Sequence, residues 1–417
     1  MSANVINATQ QELRNRRGIL AVLGSAGAIF FPGSLVFGFP GLMGPVWREM
    51  LAIESGALSY TMFFMLASLG IFMFFVGKWT MSLGVRKLMI IGTFLASAAT
   101  IMVTFATNLI MVYVWAFLVG ASSCFIYSPG INTVQRWFPQ KRGLVSGIVN
   151  LTFGISAAAM VPIYRIMLES LGYKALCLIV AVITIIIGLI ASQFTEMPEK
   201  VKGFQLANTT NKETKPVAEP LSFTPQEATK TKSFWLIWAI WALMGAAGVS
   251  MVTISVNFGM SKGYSLAAAA TILSVYNLAN GISRLVTGMI SDVIGRNLTL
   301  AITFVGAGVA YLILPHSSSL VTISILAGLI GFGYGTLFAC SAPLISDCFG
   351  IKHFGVILGL VFTAYGFIAG IIGPGISGYV VSANGGNYNG IFYYMAILCL
   401  VSAVLVMLVK KPVYGEK

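Results

Sequence analysis

Twelve apolar runs, each long enough to cross a lipid bilayer, leave this chain few ways to fold. A crossing helix needs about 20 apolar residues. Runs of that kind lie near 18–45, 56–77, 88–107, 109–135, 143–165, 173–194, 233–260, 266–290, 298–315, 319–346, 354–381 and 388–409. Only 9% of the 417 residues are charged, against about 25% in soluble domains, which excludes an ordinary soluble enzyme. The 45 glycines suit crowded membrane helices, because glycine lets neighbouring backbones approach closely. The expected fold is an all-α membrane protein of twelve transmembrane helices.

The net charge of +13 raises the question of a nucleic-acid partner, so the basic residues need locating. With the N-terminus inside, twenty Lys and Arg fall on inner segments, among them Arg14, Arg16, Arg17, Lys78, Arg86, Lys87, Arg136 and Lys141. Four fall on outer segments: Arg48, Arg165, Lys174 and Lys262. This asymmetry is the positive-inside bias, and it puts both termini in the cytoplasm of a multi-pass cell-membrane protein. No basic patch with interleaved aromatics exists, so no nucleic acid is expected. Cys124, Cys177, Cys340, Cys348 and Cys399 fall in or at the ends of spans without metal-ligand spacing, so neither disulfides nor a metal nor a cofactor is expected. Residues 1–17 are polar and lack a small-residue cleavage site, and read as a cytoplasmic tail.

Residues 195–232 are the one long hydrophilic stretch, with Pro198, Pro216, Pro220 and Pro225. They read as a linker carrying a short surface helix. It separates an N-terminal six-helix bundle (18–194) from a C-terminal one (233–410), followed by a tail (411–417). The halves match at an offset of 211 or 212 residues. Gly77 and Gly84 correspond to Gly288 and Gly295, and Gly147, Gly154 and Pro162 to Gly359, Gly366 and Pro374. Matched glycines mark helix contacts or turns of positive φ, so the two bundles are expected to be pseudo-symmetric copies. The pairs Gly143/Gly147, Gly355/Gly359 and Gly366/Gly370 read as small-residue packing faces.

The turn Gly288-Met289-Ile290-Ser291-Asp292-Val293-Ile294-Gly295-Arg296 resembles the major facilitator signature between spans 8 and 9. Its counterpart, Gly77 to Lys87, keeps the glycines and the basic pair but has Met81 where that family usually has an aspartate. The turn Arg136-Trp137-Phe138-Pro139-Gln140-Lys141-Arg142-Gly143-Leu144-Val145-Ser146-Gly147 is similar to the monocarboxylate transporter and oxalate:formate antiporter branch. The resemblance implies alternating access between two bundles, with substrate held near the midplane. These turns are expected to fix topology and packing, not to touch substrate.

No acidic residue sits in the middle of a span, and Arg284 is the only permanently charged residue within one. An arginine at the centre of a helix costs about 2.5–3.5 kcal/mol on insertion scales and marks a substrate path. Arg284 is displaced toward the cytoplasmic end, where the cost is lower, and the alternative is that it snorkels or bonds helix carbonyls. With no acid to pair it, its natural partner is an anion, because the guanidinium fork matches a carboxylate. Asn277, Asn280 and Arg284 share one helix face by their spacing. The resemblance agrees, since the branch carries a substrate-binding arginine in span 8. It also implies cavity aromatics at Tyr127, Tyr334, Phe338 and Phe37. Asn150 and Asn257 are intramembrane amides suited to bonding across helices or to ligand, and Phe362 and Tyr365 are candidates for the apolar side.

Animal monocarboxylate transporters commonly have an aspartate where this chain has Asn280, and a lysine in span 1, where Phe31 to Trp47 has none. The oxalate transporters add a lysine in span 11, where Gly359-Leu360-Val361-Phe362 has no charge. One fixed cation neutralises one carboxylate, and a dianion would leave a charge unpaired in a poor dielectric. The expected substrate is a small monocarboxylate of the lactate, pyruvate or acetate class. Arginine does not titrate in proteins, so the substrate carboxylate itself is expected to carry the coupled proton, in symport by a single copy of the chain. The alternative is a carboxylate exchanger. An intramembrane enzyme is disfavoured because no His, acid or metal cluster lies at depth, and a sensor because the linker is too short for a signalling domain.

Overall fold

A computed structural model describes residues 3–53, 55–138, 142–200, 222–350 and 353–412. Pro139, Gln140 and Lys141 of the turn after span 4, Lys352, the middle of the linker and residues 413–417 lie outside the described residues. Among the described residues every regular element is helical, and no strand occurs. The N-terminal half contains α1 (Ala3–Phe37), α2 (Phe39–Leu51), α3 (Ser55–Leu83), α4 (Val85–Thr104), α5 (Leu109–Trp137) and α6 (Arg142–Gln193). The short α7 (Pro225–Ala228) lies in the linker. The C-terminal half contains α8 (Lys232–Ser261), α9 (Leu266–Ile294), α10 (Arg296–Ile313), α11 (Leu320–Phe349), α12 (Phe354–Thr363), α13 (Ile376–Ala383) and α14 (Asn389–Met407).

Among the described residues eleven apolar runs are long enough to cross a bilayer, and one of them, Leu144–Gln193, has 50 residues. At about 1.5 Å per residue it is roughly 75 Å long, enough for two passages of a core about 30 Å thick. It turns at Gly172, whose φ of 79° and ψ of 172° leave the helical region, so α6 is two spans and the crossings number twelve. The first span differs from its expected limits. Its helix already runs from Ala3, through the stretch read as a tail, breaks at Gly38 and continues as α2 to Leu51. The eleventh is interrupted too. Between α12 and α13 lie π-helical turns at Ala364–Ala369 and Ile371–Gly375, where Pro374 supplies no backbone N–H to continue an α-helical ladder.

The halves meet between α2 and α8 and along two repeat-related seams, one between α6 and α9 and one between α3 and the α12–α13 span. A methyl group on Gly154 would lie 2.8 Å from the Gly281 Cα, and one on Gly366 would lie 2.7 Å from the Gly70 Cα. Below each crossing the same pattern recurs, with Gly147 facing Leu285 and Gly359 facing Phe74. Gly70 and Gly281 are 211 residues apart, Gly154 and Gly366 are 212, and Phe74 and Leu285 are again 211. Each seam is therefore the image of the other: of the matched glycines, Gly147, Gly154, Gly359 and Gly366 face the opposite half and Gly84 and Gly295 take positive φ, whereas Gly77 and Gly288 meet nothing within 4 Å and do neither. The packing of Gly143 and Gly355 falls outside what is described.

The repeat is broken in the charged turns at the termini end. Arg296 pairs with Asp292 and lies 3.8 Å from Asp347. The N-terminal half, with Met81 in place of the aspartate, uses carboxylates from just beyond α6. Arg86 donates to the Gln193 carbonyl at 3.1 Å and lies 3.9 Å from Glu196. Arg17 is 4.0 Å from Glu196, and Arg136 is 2.6 Å from Glu199. At the other end of the linker the Phe223 N–H donates to the Phe349 carbonyl at 2.9 Å. There α7 is closed by a capping box between Thr224 and Glu227, the expected short helix.

Candidate functional site

Arg284 lies eighteen residues along α9 from Leu266 and ten before Ile294. At about 1.5 Å per residue this is roughly 27 Å from one end and 15 Å from the other, below the middle on the termini side. It is 2% exposed. Its Nε donates to Asn280 Oδ1 at 3.3 Å, and one terminal nitrogen reaches the Asn150 carbonyl at 3.5 Å. Three rings surround the guanidinium: Phe338 at 4.3 Å, and Phe37 and Phe153 at 5.6 Å each. Aromatic faces attract a cation but do not neutralise it. The other terminal nitrogen, Nη2, is buried without a hydrogen-bond partner, as are Asn280 Nδ2 and Asn277 Oδ1. A buried charge with donors left over is a costly arrangement in a protein at rest. Of these three orphan atoms Asn277 Oδ1 is an acceptor, while Nη2 and Nδ2 are donors, suited to the two oxygens of a carboxylate.

Neighbouring helices bring the other predicted residues here to different degrees. Asn277 donates to the Phe37 carbonyl at 3.1 Å, tying α9 to α1 across the two halves, and to the Leu273 carbonyl at 3.0 Å. Tyr127 on α5 donates to Asn150 Oδ1 at 2.6 Å, so Asn150 bonds across helices with its side chain and meets Arg284 through its backbone. Tyr334 on α11 is hydrogen-bonded to Tyr365 and packs edge-on against Phe37 and Phe338, with centroids 6.3 and 5.3 Å away. Phe362 lies one step further out, 6.4 Å from Phe338 and 4.4 Å from Trp241. Asn257 is placed apart. Its Nδ2 donates to the Thr253 carbonyl of its own helix at 3.3 Å, and it lines a vestibule at the end opposite the termini.

Two residues were missed. Phe153 stacks on the guanidinium and touches both Phe37 (5.0 Å) and Tyr127 (5.5 Å); its signal was its place three residues after Asn150 and beside the repeated Gly154. Trp241 on α8 backs Phe338, Phe362 and Tyr365 with its own Nε1 unpartnered. An indole in an apolar span carries no mark that separates a site wall from ordinary packing.

A twelve-crossing, two-fold-repeated helical bundle with a buried arginine where its halves meet has a known pattern. The sequence pattern described as Major Facilitator Superfamily matches residues 25–367 and 247–417. The chain belongs to that superfamily. As a major facilitator it is a multi-pass membrane transporter, and relatives in the superfamily are transporters, not enzymes. It is 27% identical to the oxalate:formate antiporter of Oxalobacter formigenes over 69% of this chain and 66% of that protein, just under two thirds of its length. It is 24% identical to monocarboxylate transporter 13 of Rattus norvegicus over 91% of this chain and 87% of that one. In fold it superposes on a bacterial homologue of the human lysosomal transporter Spinster, in an inward-facing and occupied conformation. That match has a TM-score of 0.70 at 12% identity, and covers 94% of this chain and 96% of the other.

Proposed function

We propose that this major facilitator moves a small monocarboxylate of the lactate, pyruvate or acetate class together with a proton, by alternating access of its two bundles. The observation that carries the reading is the buried Arg284 guanidinium with Nη2 unpartnered beside an unpartnered Asn280 Nδ2. Arg284 is the anion clamp. Asn280 orients it through the 3.3 Å bond to Nε and offers its own N–H to the second oxygen. Phe37, Phe153 and Phe338 form an apolar wall for a short alkyl tail, and Tyr127 and Asn150 fix the backbone that approaches Arg284. Span 11 adds no second cation, so a monoanion is neutralised and a dianion is not. Arginine keeps its proton, so the proton travels on the substrate carboxyl. We read the working unit as a single copy in the cell membrane with both termini cytoplasmic, on the positive-inside bias, and the two bundles as bounded at 18–194 and 233–410.

Obligatory anion exchange is a second reading, favoured by the likeness to the oxalate:formate antiporter. The test is labelled lactate uptake into proteoliposomes without internal substrate, with an inward proton gradient imposed and then collapsed. Symport predicts gradient-driven accumulation that Arg284→Gln abolishes. Uptake only after preloading with a carboxylate establishes exchange. Unchanged uptake in Arg284→Gln removes the clamp.

A further inference from the structure

Of the three unpartnered buried atoms around Arg284, the proposed clamp uses two. The third, Asn277 Oδ1, is an acceptor, and Asn277 is fully buried. Its neighbours fix which atom of the amide this is. Both hydrogens of Nδ2 are spent, one on the Phe37 carbonyl at 3.1 Å and one on the Leu273 carbonyl at 3.0 Å. Turning the amide over would set an oxygen against those two carbonyls, so Oδ1 is the atom without a partner among the described residues. Asn280 is fixed in the opposite sense. Its Oδ1 accepts from the Arg284 Nε at 3.3 Å, which leaves its Nδ2 as a donor. The two amides are three residues apart, about 4.5 Å along one face of α9. Phe37 touches both ends of this face, its carbonyl on Asn277 and its ring 5.6 Å from the guanidinium. The order along the face is therefore one acceptor, then two donors. The donors match the oxygens of a carboxylate. The acceptor calls for a hydrogen-bond donor on the same ligand, since a buried acceptor left unpaired is a cost.

We propose that Asn277 sets the substrate class of the clamp. Its Oδ1 accepts a hydrogen bond from a hydroxyl on the carbon next to the carboxylate, so the site takes a 2-hydroxy acid in preference to the 2-oxo acid or the unsubstituted acid. The proposal rests on the carboxylate reading of Arg284 and Asn280, and the test separates the two. A 2-hydroxy acid brings an O–H to Oδ1. A 2-oxo acid brings a carbonyl oxygen, which has no hydrogen to give and faces another acceptor. An acid with a plain methylene there leaves Oδ1 unpaired. A site built to bond a substrate hydroxyl rejects analogues that lack it far more strongly than an apolar pocket does. Asn277 also ties α9 to α1 across the two halves, so the ratio between substrates, and not the rate alone, is the quantity that reports the hydrogen bond.

The test uses full-length protein in proteoliposomes at neutral pH, with labelled lactate uptake inhibited by unlabelled lactate, pyruvate or propionate. These acids share one carbon skeleton and differ at the carbon next to the carboxylate, which bears a hydroxyl, a ketone or only hydrogen. Half-inhibition by pyruvate and by propionate is expected at concentrations about tenfold or more above that of lactate. In Asn277→Leu the three values should converge, with lactate losing most. A purely structural role would slow uptake and leave the ratios where they were, and that result overturns the proposal. Asn277→Ala gives the same readout where Asn277→Leu does not assemble. Inhibition by pyruvate or propionate equal to or stronger than that by lactate in the unaltered protein, with uptake still dependent on Arg284, overturns the assignment of Asn277 and leaves the clamp standing. Lactate uptake that is absent, or that persists in Arg284→Gln, removes the clamp and this proposal with it.

Discussion

The crossing of α6 and α9 at Gly154 and Gly281 makes a sharp test of how the site is closed. A methyl on Gly281 would sit 2.8 Å from the Ile155 backbone nitrogen and 3.1 Å from its Cα, whereas ordinary contacts begin near 3.4 Å. Both obstructing atoms are backbone, so no side chain can rotate away, and the helices must part by about 0.6 Å, a gap that forfeits roughly a quarter of each contact's attraction. Overpacking of this kind costs about 1–3 kcal/mol. Here it falls on the state in which the helices touch, so Gly281→Ala should shift the balance away from that state by about 5- to 150-fold. The same displacement lengthens the 3.5 Å contact between Arg284 and the Asn150 carbonyl. Spin labels at Leu144 and Ile294, both exposed near the termini end of these helices, report the separation directly. We expect a longer distance distribution and slower lactate uptake for Gly281→Ala. Gly366→Ala, whose methyl would lie 2.7 Å from the Gly70 Cα and 2.9 Å from its nitrogen, should behave alike at the twin seam, and Gly306→Ala, with nothing within 4 Å, should change neither. An unaltered distribution and unaltered uptake in Gly281→Ala would refute the reasoning.

Further outcomes follow from the site and the turns. Asn280→Asp places a carboxylate where Oδ1 lies 3.3 Å from the Arg284 Nε; the resulting buried pair competes with substrate, and half-saturation for lactate uptake at neutral pH should rise by about tenfold or more. Tyr127→Phe strands Asn150 Oδ1 at a cost of about 1–3 kcal/mol, lowering the thermal midpoint in detergent. Tyr127→Phe combined with Asn150→Leu should cost less than the two singles together, which a double-mutant cycle measures. Arg296→Ala should lower that midpoint more than Arg86→Ala, since the side chains are 21% and 45% exposed and exposed pairs contribute little. Equal shifts for the two would contradict this ordering.

The spans were legible because hydropathy over 20 residues is a strong signal, and the duplication because glycines at helix contacts tolerate few alternatives. Breaks inside spans were harder to read. Gly38 and the π-helical turns around Gly370 and Pro374 lie in apolar stretches, where hydropathy does not distinguish a kinked helix from a straight one. Arg284 and Asn280 stood out because charge and amide are expensive at depth, and the structure joins them by a hydrogen bond. Asn257 gave the same signal and lies in the vestibule, since the cost of an amide says nothing about which cavity it faces. Phe153 and Trp241 gave no signal for the converse reason. Their value lies in position, and in a chain with 28 phenylalanines and 7 tryptophans an aromatic ring is ordinary.

The pairing of Arg17, Arg86 and Arg136 with Glu196 and Glu199 decides where this molecule can be cut. Those two carboxylates sit in the opening residues of the inter-bundle stretch, yet mechanically they belong to the first bundle, just as Phe223 at the far end belongs to the second through Phe349. A severed version divided at the end of α6 would strip the first bundle of the acids that hold three of its arginines. One divided between residues 201 and 221 would leave each of these contacts within its own half.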